Sequence, residues 1–491
     1  MRERIINFIN SKKQYPILAA IASGLYPLLY YYNTNFTQVD SWSQLVYFIA
    51  LFILFPVAVF ITVDFLTYKF KILFKYKVRI LTVLNLGWFG FLILLSTLGL
   101  SSKLVFVVTF LSLILGSIFY KQLKKIIVFQ LLLSFLVFIL LIPNIYRHLT
   151  YSKEWMQQPD NILNVKFNQT PNIYMIQVDG YANFTELDKG YYNFDNKNFN
   201  KYLRDNGFKL YLDYRSNYFS TLSSNSSLFS MKHHYYSNPK KTFSELLNAR
   251  SVIVSENPVL QILKKNNYKT HLLMEKAYFL INRPKIGYDY CNVDYSEVSY
   301  LDRGFWVEKT LENDLEAVLP KEPTSNNFYF IQKLLPSHVT NTLRSSAKIE
   351  REHYLKRLEE ANIWLEDLIA KIEKKDKNAL IIISADHGGF VGFNSTLETE
   401  IKQTDRDLIY SIYTSILAIK WNNKSPAFDG KFKTPVNFFR ILFSYLSENE
   451  TYLRALQEDK SYIIIGKDAP FGVYEYIDEN GNVVFNKIDN Q

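Results

Sequence analysis

Five apolar runs crowd the first 145 residues of the chain, at about 15–33, 43–65, 79–99, 103–120 and 125–145. Each is close to the roughly 20 residues that a helix needs to cross a hydrocarbon core. In lipid every backbone polar group must be satisfied within the segment, so such runs fold as helices. None carries a charge in its middle, which argues against an ion pathway or proton relay inside the bilayer. Lys and Arg cluster before the first run (Arg2, Arg4, Lys12, Lys13), between the second and third (Lys69, Lys71, Lys75, Lys77, Arg79) and between the fourth and fifth (Lys121, Lys124, Lys125). The stretch 33–43 has none. The positive-inside rule then places the basic loops in the cytoplasm, and an odd number of crossings puts everything after residue 145 outside. No small-residue cleavage site follows the first run, so it is expected to be retained rather than removed as a signal peptide.

The net charge of +10 draws substantially on those loops and is a topology signal. It is not gathered on one soluble face, so no nucleic-acid partner is expected. Cys291 is the single cysteine and has no partner for a disulfide within the chain. A chain of 491 residues exceeds one ordinary domain. The expected division is a five-span membrane domain over 1–145, a polar juxtamembrane linker over 146–170, and an outer domain over 171–491 of the α/β kind, with a mostly parallel sheet flanked by helices. Strands are expected at 173–178, 208–214, 269–274, 327–334, 379–384 and 411–420, and helices at 196–206, 258–265, 349–375 and 436–446. A hairpin is expected around Glu479-Asn480-Gly481-Asn482.

The densest chemistry lies at 379–389, Ala-Leu-Ile-Ile-Ile-Ser-Ala-Asp-His-Gly-Gly. A strand buried on both faces ends there in an adjacent carboxylate and imidazole, Asp386 and His387, and chemistry in open α/β sheets collects at the carboxyl ends of strands. Asp179 ends the strand 173–178 in the same way and is followed by Gly180. Either aspartate alone reads equally as a helix cap; two strand-end carboxylates, one joined to His and two Gly, can meet at one point. The segment 220–230 is rich in hydroxyls, and a hydroxyl at a helix start beside a metal becomes a nucleophile. Thr221 is the best placed candidate, with Ser220, Ser223 and Ser224 open on spacing alone. Of the other histidines, His233 and His234 follow this segment closely enough to approach a site, while His271, His353 and His148 fit structural or interfacial places.

Four segments in order, Asn-Ile-Tyr-Met-Ile-Gln-Val-Asp-Gly-Tyr, Ser-Asn-Tyr-Phe-Ser-Thr-Leu-Ser-Ser, Leu-Pro-Ser-His and Ile-Ser-Ala-Asp-His-Gly-Gly, resemble the sulfatase-like branch of the alkaline phosphatase superfamily. They are most similar to its membrane-anchored members, the lipoteichoic acid synthases and phosphoethanolamine or phosphoglycerol transferases. The resemblance implies an outer domain of the alkaline phosphatase/sulfatase type. It also implies a single divalent metal, Mn or Zn and less so Mg or Ca, held by Asp179, Thr221, Asp386 and His387, with Thr221 as nucleophile and His338 in contact with the phosphoryl group. His387 is the last histidine in the chain, which argues against a second metal. No Cys-x-Pro-x-Arg context surrounds Thr221 or Cys291, which argues against formylglycine sulfatase chemistry.

The expected function is therefore a transferase in the bacterial cytoplasmic (inner) membrane. It would move phosphoethanolamine or phosphoglycerol from a phospholipid donor to an outer glycan or lipid acceptor through a phosphothreonine intermediate. The rival readings are a phosphodiesterase, phosphatase or other sulfatase-like hydrolase that uses water, and a lipid-sensing scaffold without turnover.

Overall fold

The computed structural model describes residues 2–97, 102–235, 245–319 and 326–488, and the chain divides into two compact units, Met1–Tyr151 and Ser152–Gln491. Residues 98 and 99, the end of the third expected run, lie outside the described residues.

The first unit is helical. Three stretches are long and apolar enough to cross a membrane: Trp42–Lys69, Lys77–Thr97 and Ser102–Leu149. The last holds two of the expected runs, divided by a 3-10 turn at Tyr120–Gln122. Unbroken, a helix of that length would reach about 70 Å, more than twice a hydrocarbon core. The first expected run is helical over Pro16–Asn35 but less apolar than the other three, with four tyrosines and two asparagines in its final ten residues. One buried amide pair ties three of these helices. Asn85 Nδ2 donates to Gln130 Oε1 (2.9 Å) and to Ala19 O (2.8 Å), and Gln130 Nε2 donates back to Asn85 Oδ1 (2.9 Å).

In the second unit a seven-stranded sheet contains β1 (Ile173–Val178), β2 (Lys209–Leu210), β3 (Lys269–Met274), β4 (Tyr290–Cys291), β5 (Asn327–Lys333), β6 (Leu380–Ser384) and β7 (Leu417–Lys420), in the spatial order β2-β7-β6-β1-β5-β3-β4. The pairings β6–β1, β1–β5, β5–β3 and β3–β4 are parallel, and β7 runs antiparallel both to β6 and to the edge strand β2. The sheet is therefore mixed. A second sheet of β8 (Ser461–Ile465), β9 (Gly472–Ile477) and β10 (Val483–Lys487) is antiparallel, and its last two strands form the expected hairpin.

Alternate side chains along β1, β5 and β6 enter two separate cores. Ile173, Met175, Phe328, Phe330 and Ile382 meet the helices α1 (Thr221–Ser230) and α3 (Pro435–Ser447) on one face. Tyr174, Ile176, Val178, Ile331 and Ile383 meet α2 (Ala347–Lys375) on the other. Each fully buried aliphatic side chain contributes about 2 kcal/mol, and this two-faced burial explains why the strands read as continuous apolar runs rather than alternating ones.

Two expectations need correction. The strand expected at 208–214 is only Lys209–Leu210. That at 411–420 is split, because Arg406–Tyr413 is a helix whose first turn is capped by Asp405 Oδ1, and only Leu417–Lys420 is extended. From Ser152 the stretch 146–170 lies in the second unit, where Ile162 and Val165 are buried in the first of the two cores.

Candidate active site

Because β1 and β6 are parallel neighbours with Gln177 opposite Ser384, their carboxyl ends stop side by side. Asp179 follows directly, and Asp386 and His387 follow two residues beyond β6. All three side chains are buried. One donor atom from each lies within 4.8 Å of the others, a group that could hold a metal ion. His387 Nε2 is 3.5 Å from both Asp179 Oδ1 and Asp386 Oδ2. The other ring nitrogen, Nδ1, is 2.9 Å from Gly388 O. A carbonyl only accepts, so the proton sits on Nδ1 and the Nε2 lone pair faces the carboxylates.

The donor set fits a divalent cation. Asp386 Oδ2 is buried and accepts no hydrogen bond, and an orphaned buried carboxylate oxygen is costly unless something positive meets it. Burial, then the neighbouring Asp179, pushes the Asp386 carboxyl above its ordinary range, against the pull of His387 and Thr221. Burial pulls His387 down, but Asp386 and Asp179 more than offset it and raise the imidazole. Asp386 responds first to burial and His387 to the two carboxylates beside it.

Thr221 opens α1, with Ser220 in extended conformation before it. Its Oγ1 stands 3.3 Å from Asp179 Oδ1 and 3.3 Å from His387 Nε2, and the residue is half-buried where the rest of its helix is buried. Of the four hydroxyls open on spacing, Thr221 is the one that reaches the carboxylate–imidazole group. Ser220 Oγ donates to Ser223 Oγ (3.0 Å), and Ser224 Oγ turns back to Tyr218 O (3.0 Å). First-turn amides of a helix lack intrahelical partners and favour an anion.

His338 lies on the loop after β5, half-buried, with its ring centroid 5.7 Å from that of His387. Its Nδ1 is 2.6 Å from Val339 O, which leaves Nε2 free for proton transfer. The loop is pinned to both ligand-bearing strands: Ser337 N donates to Asp179 O (2.8 Å) and Val339 N to Gly389 O (3.1 Å). Gly180 makes the first approach possible. Its φ is +69°, and a Cβ there would sit 2.4 Å from Ser337 O.

Sequence reasoning did not find the residues of α2 that support this edge. Tyr354, buried against the sheet, donates its hydroxyl to Gly180 O (2.9 Å) and accepts from Ala182 N (3.2 Å). Arg357 donates to Pro336 O (2.6 Å) and His338 O (3.1 Å). Nothing in a helical repeat marks either. His233 and His234 are not in the metal-capable group. His233 hydrogen-bonds Tyr218 and Glu458 O, and His234 Nε2 donates to Ser223 O (2.9 Å) beneath the first turn of α1. His271 sits mid-strand stacked on Tyr329, and His353 is exposed on α2.

Several solved structures align with the chain. The periplasmic domain of EptC from Escherichia coli aligns at 12% identity and a TM-score of 0.41, covering 63% of this chain and 93% of that one. The lipooligosaccharide phosphoethanolamine transferase EptA of Neisseria meningitidis aligns at 12% and 0.37, covering 88% and 95%. The lipoteichoic acid synthase LtaP of Listeria monocytogenes aligns at 14% and 0.40, covering 66% and 90%. No family model and no curated protein matches the sequence. Likeness at this level carries no residue role across, so the roles below rest on the geometry of this site.

Proposed function

We propose that the chain is a metal-dependent phosphoryl-group transferase of the bacterial cytoplasmic membrane. In this reading it has five crossings within 1–145, a connection over 146–170 and a catalytic part over 171–491 on the outer side. The observation that carries the chemistry is the position of Thr221 Oγ1, 3.3 Å from a carboxylate and an imidazole that share a buried, charge-starved pocket. Asp179, Asp386 and His387 would hold one divalent ion, with Thr221 at its open side, and mixed carboxylate and imidazole donors suit Mn or Zn. When bound, such an ion supplies Lewis acidity, which acidifies a nearby hydroxyl and neutralises phosphoryl charge.

The chain's own groups then divide the work. Thr221 Oγ1 forms a bond to the phosphorus of a phospholipid head-group phosphodiester, and its proton leaves along the hydrogen bond to Asp179 Oδ1. The bond from phosphorus to diacylglycerol oxygen breaks, and His338 Nε2 protonates the departing oxygen. First-turn amides of α1 face the phosphoryl oxygens. In the second half His338 takes the proton of an acceptor hydroxyl on an outer glycan or lipid. That oxygen displaces Thr221 Oγ1, which takes its proton back from Asp179, and phosphoethanolamine or phosphoglycerol is transferred, leaving His338 protonated for the next cycle. The test is diacylglycerol release from labelled phospholipid by Thr221→Ala. Undiminished release overturns the mechanism. Release by the unaltered chain without transfer to any added acceptor makes it a phosphodiesterase instead.

A further inference from the structure

β1, β3, β4, β5 and β6 run parallel, so their carboxyl ends share one edge of the sheet, and the loops after β4 and β5 leave from the same edge as the candidate site. Two loops at this edge carry the two most exposed large apolar side chains described in the second unit. These are Trp306, 68% exposed beside Phe305 in the loop 299–309, and Leu343, 72% exposed in the loop 340–346 that leaves His338 through Val339. Each tip has an exposed arginine close by, Arg303 and Arg344, and neither forms an ion pair among the described residues.

The first loop is held in shape. Asp302 Oδ1 accepts from the amides of Gly304 (2.7 Å), Phe305 (3.0 Å) and Trp306 (3.2 Å), and Lys309 N donates to Glu275 O just after β3. The Phe305 ring packs 5.8 Å from that of Tyr278. Tyr278 in turn lies within electrostatic reach of the site: burial pushes its phenol up, Arg250 opposes this, and Asp179 and Asp386 add to the rise.

We propose that these two loops insert into the interface of a phospholipid bilayer, Phe305, Trp306 and Leu343 among the upper acyl carbons and Arg303 and Arg344 on lipid phosphates. Tryptophan favours that depth, where its ring is apolar and its N–H stays wet. Arginine matches phosphate with a planar fork of donors. Three projecting side chains are too few for a stable protein interface, which buries about 800 Å² per partner. Tethering by the apolar helices makes a bilayer the surface at the highest effective concentration. The proposal rests on the reading of a phospholipid as donor, and it gives that donor an entry route: the loops would draw its head group to Thr221.

The test uses the full chain with Cys291→Ser, in vesicles of phosphatidylethanolamine and phosphatidylglycerol. Spin labels are placed at Trp306→Cys and Leu343→Cys, and at two exposed controls away from this edge, Ile363→Cys on α2 and Lys377→Cys before the amino end of β6. Collision with oxygen relative to a water-soluble nickel chelate is expected to rise several-fold at 306 and 343 only. Water-like values at all four positions overturn the proposal, as does dipolar broadening that places two copies face to face at 306. This readout needs no turnover, so it stands or falls apart from the transferase reading. In the kinetic arm, Phe305→Ser with Trp306→Ser is expected to raise KM for vesicle-borne donor about tenfold. The kcat and the turnover of a water-soluble short-chain donor should not change, and an equal loss on both donors overturns the proposal.

Discussion

β1 has a buried carboxylate at each end of its neighbourhood, and the two are treated oppositely. At the amino end Asp376, just after α2, accepts from Asn172 Nδ2 (2.7 Å), the Tyr174 hydroxyl (3.3 Å) and Asn378 N (3.2 Å). Asn172 Oδ1 passes the brace on to Asn327 of β5 through two hydrogen bonds of 3.0 Å. At the carboxyl end Asp386 keeps an oxygen with no hydrogen bond, beside a second carboxylate. The same sheet thus satisfies one buried acid with its own donors and leaves the other in want of a cation. Folding energy is secured at one end and given up at the other, as expected of a site whose missing partner is a ligand.

The sharpest break of this comparison is catalytic. Asp386→Asn and Thr221→Ala should each reduce diacylglycerol release at least about 1,000-fold, roughly 4 kcal/mol of transition-state stabilisation. Neither should lower the melting temperature of the full chain in detergent. A melting temperature that fell with activity in Asp386→Asn would mean that this acid is as structural as Asp376.

Next in size is an acid effect at a satisfied group. His233 accepts from the Tyr218 hydroxyl at Nδ1 (2.9 Å) and donates from Nε2 to Glu458 O (2.8 Å), so its neutral form is complete. Burial pulls its pKa down to about 4. A depressed histidine contributes fully above its unfolded value near 6.5, and that contribution is lost as pH falls toward 4. The loss amounts to about 3 kcal/mol. Melting temperatures measured between pH 7 and pH 4 should fall less steeply in His233→Gln than in the unaltered chain.

Metal should act only at the unsatisfied end. A free ion at one hundred times its Kd raises stability by about 2.7 kcal/mol. A chelator should therefore lower the melting temperature, and Mn or Zn should restore it. The restoration should vanish in Asp386→Asn and persist in Asp376→Ala. The smallest effect is that of Asp376→Ala itself. Removing the acceptor of the Asn172 Nδ2 and Tyr174 hydroxyl donors costs about 2 kcal/mol, seen as a lower melting temperature with activity per folded molecule within about twofold.

The two ends also differed in how plainly the chain announced them. Asp179 and Asp386-His387 stand out because each abruptly ends an apolar run and meets glycine. Asp376 sits in Lys-Lys-Asp-Lys, which reads as a solvated loop, and only the closed sheet reveals its three donors. Thr221 was legible as one of four hydroxyls, and only the packing of α1 singled it out. Leu222 to Ser230 are all buried, and Ser226, Ser227 and Ser230 bond the helix's own carbonyls, as with Ser226 on Leu222 O (2.6 Å). The misread strand at 411–420 failed for a local reason. Ile409, Ile412 and Tyr413 suit either period, and the Asp405 cap that settles the matter lies upstream of the window. Ile162 and Val165 were isolated apolar residues in a polar stretch, a signal too sparse to show that they reach a core.

The contact at Gly180 has a consequence beyond packing. Asp179 and His338 come from different strands, yet the Ser337 amide and the missing Cβ of Gly180 weld their backbones into one piece. Whatever shifts one shifts the other, so the two side chains keep their spacing through any breathing of the sheet. Beyond Val339 the chain leaves that weld. Substitutions in the loop that follows can then accumulate without disturbing the spacing of Asp179 and His338.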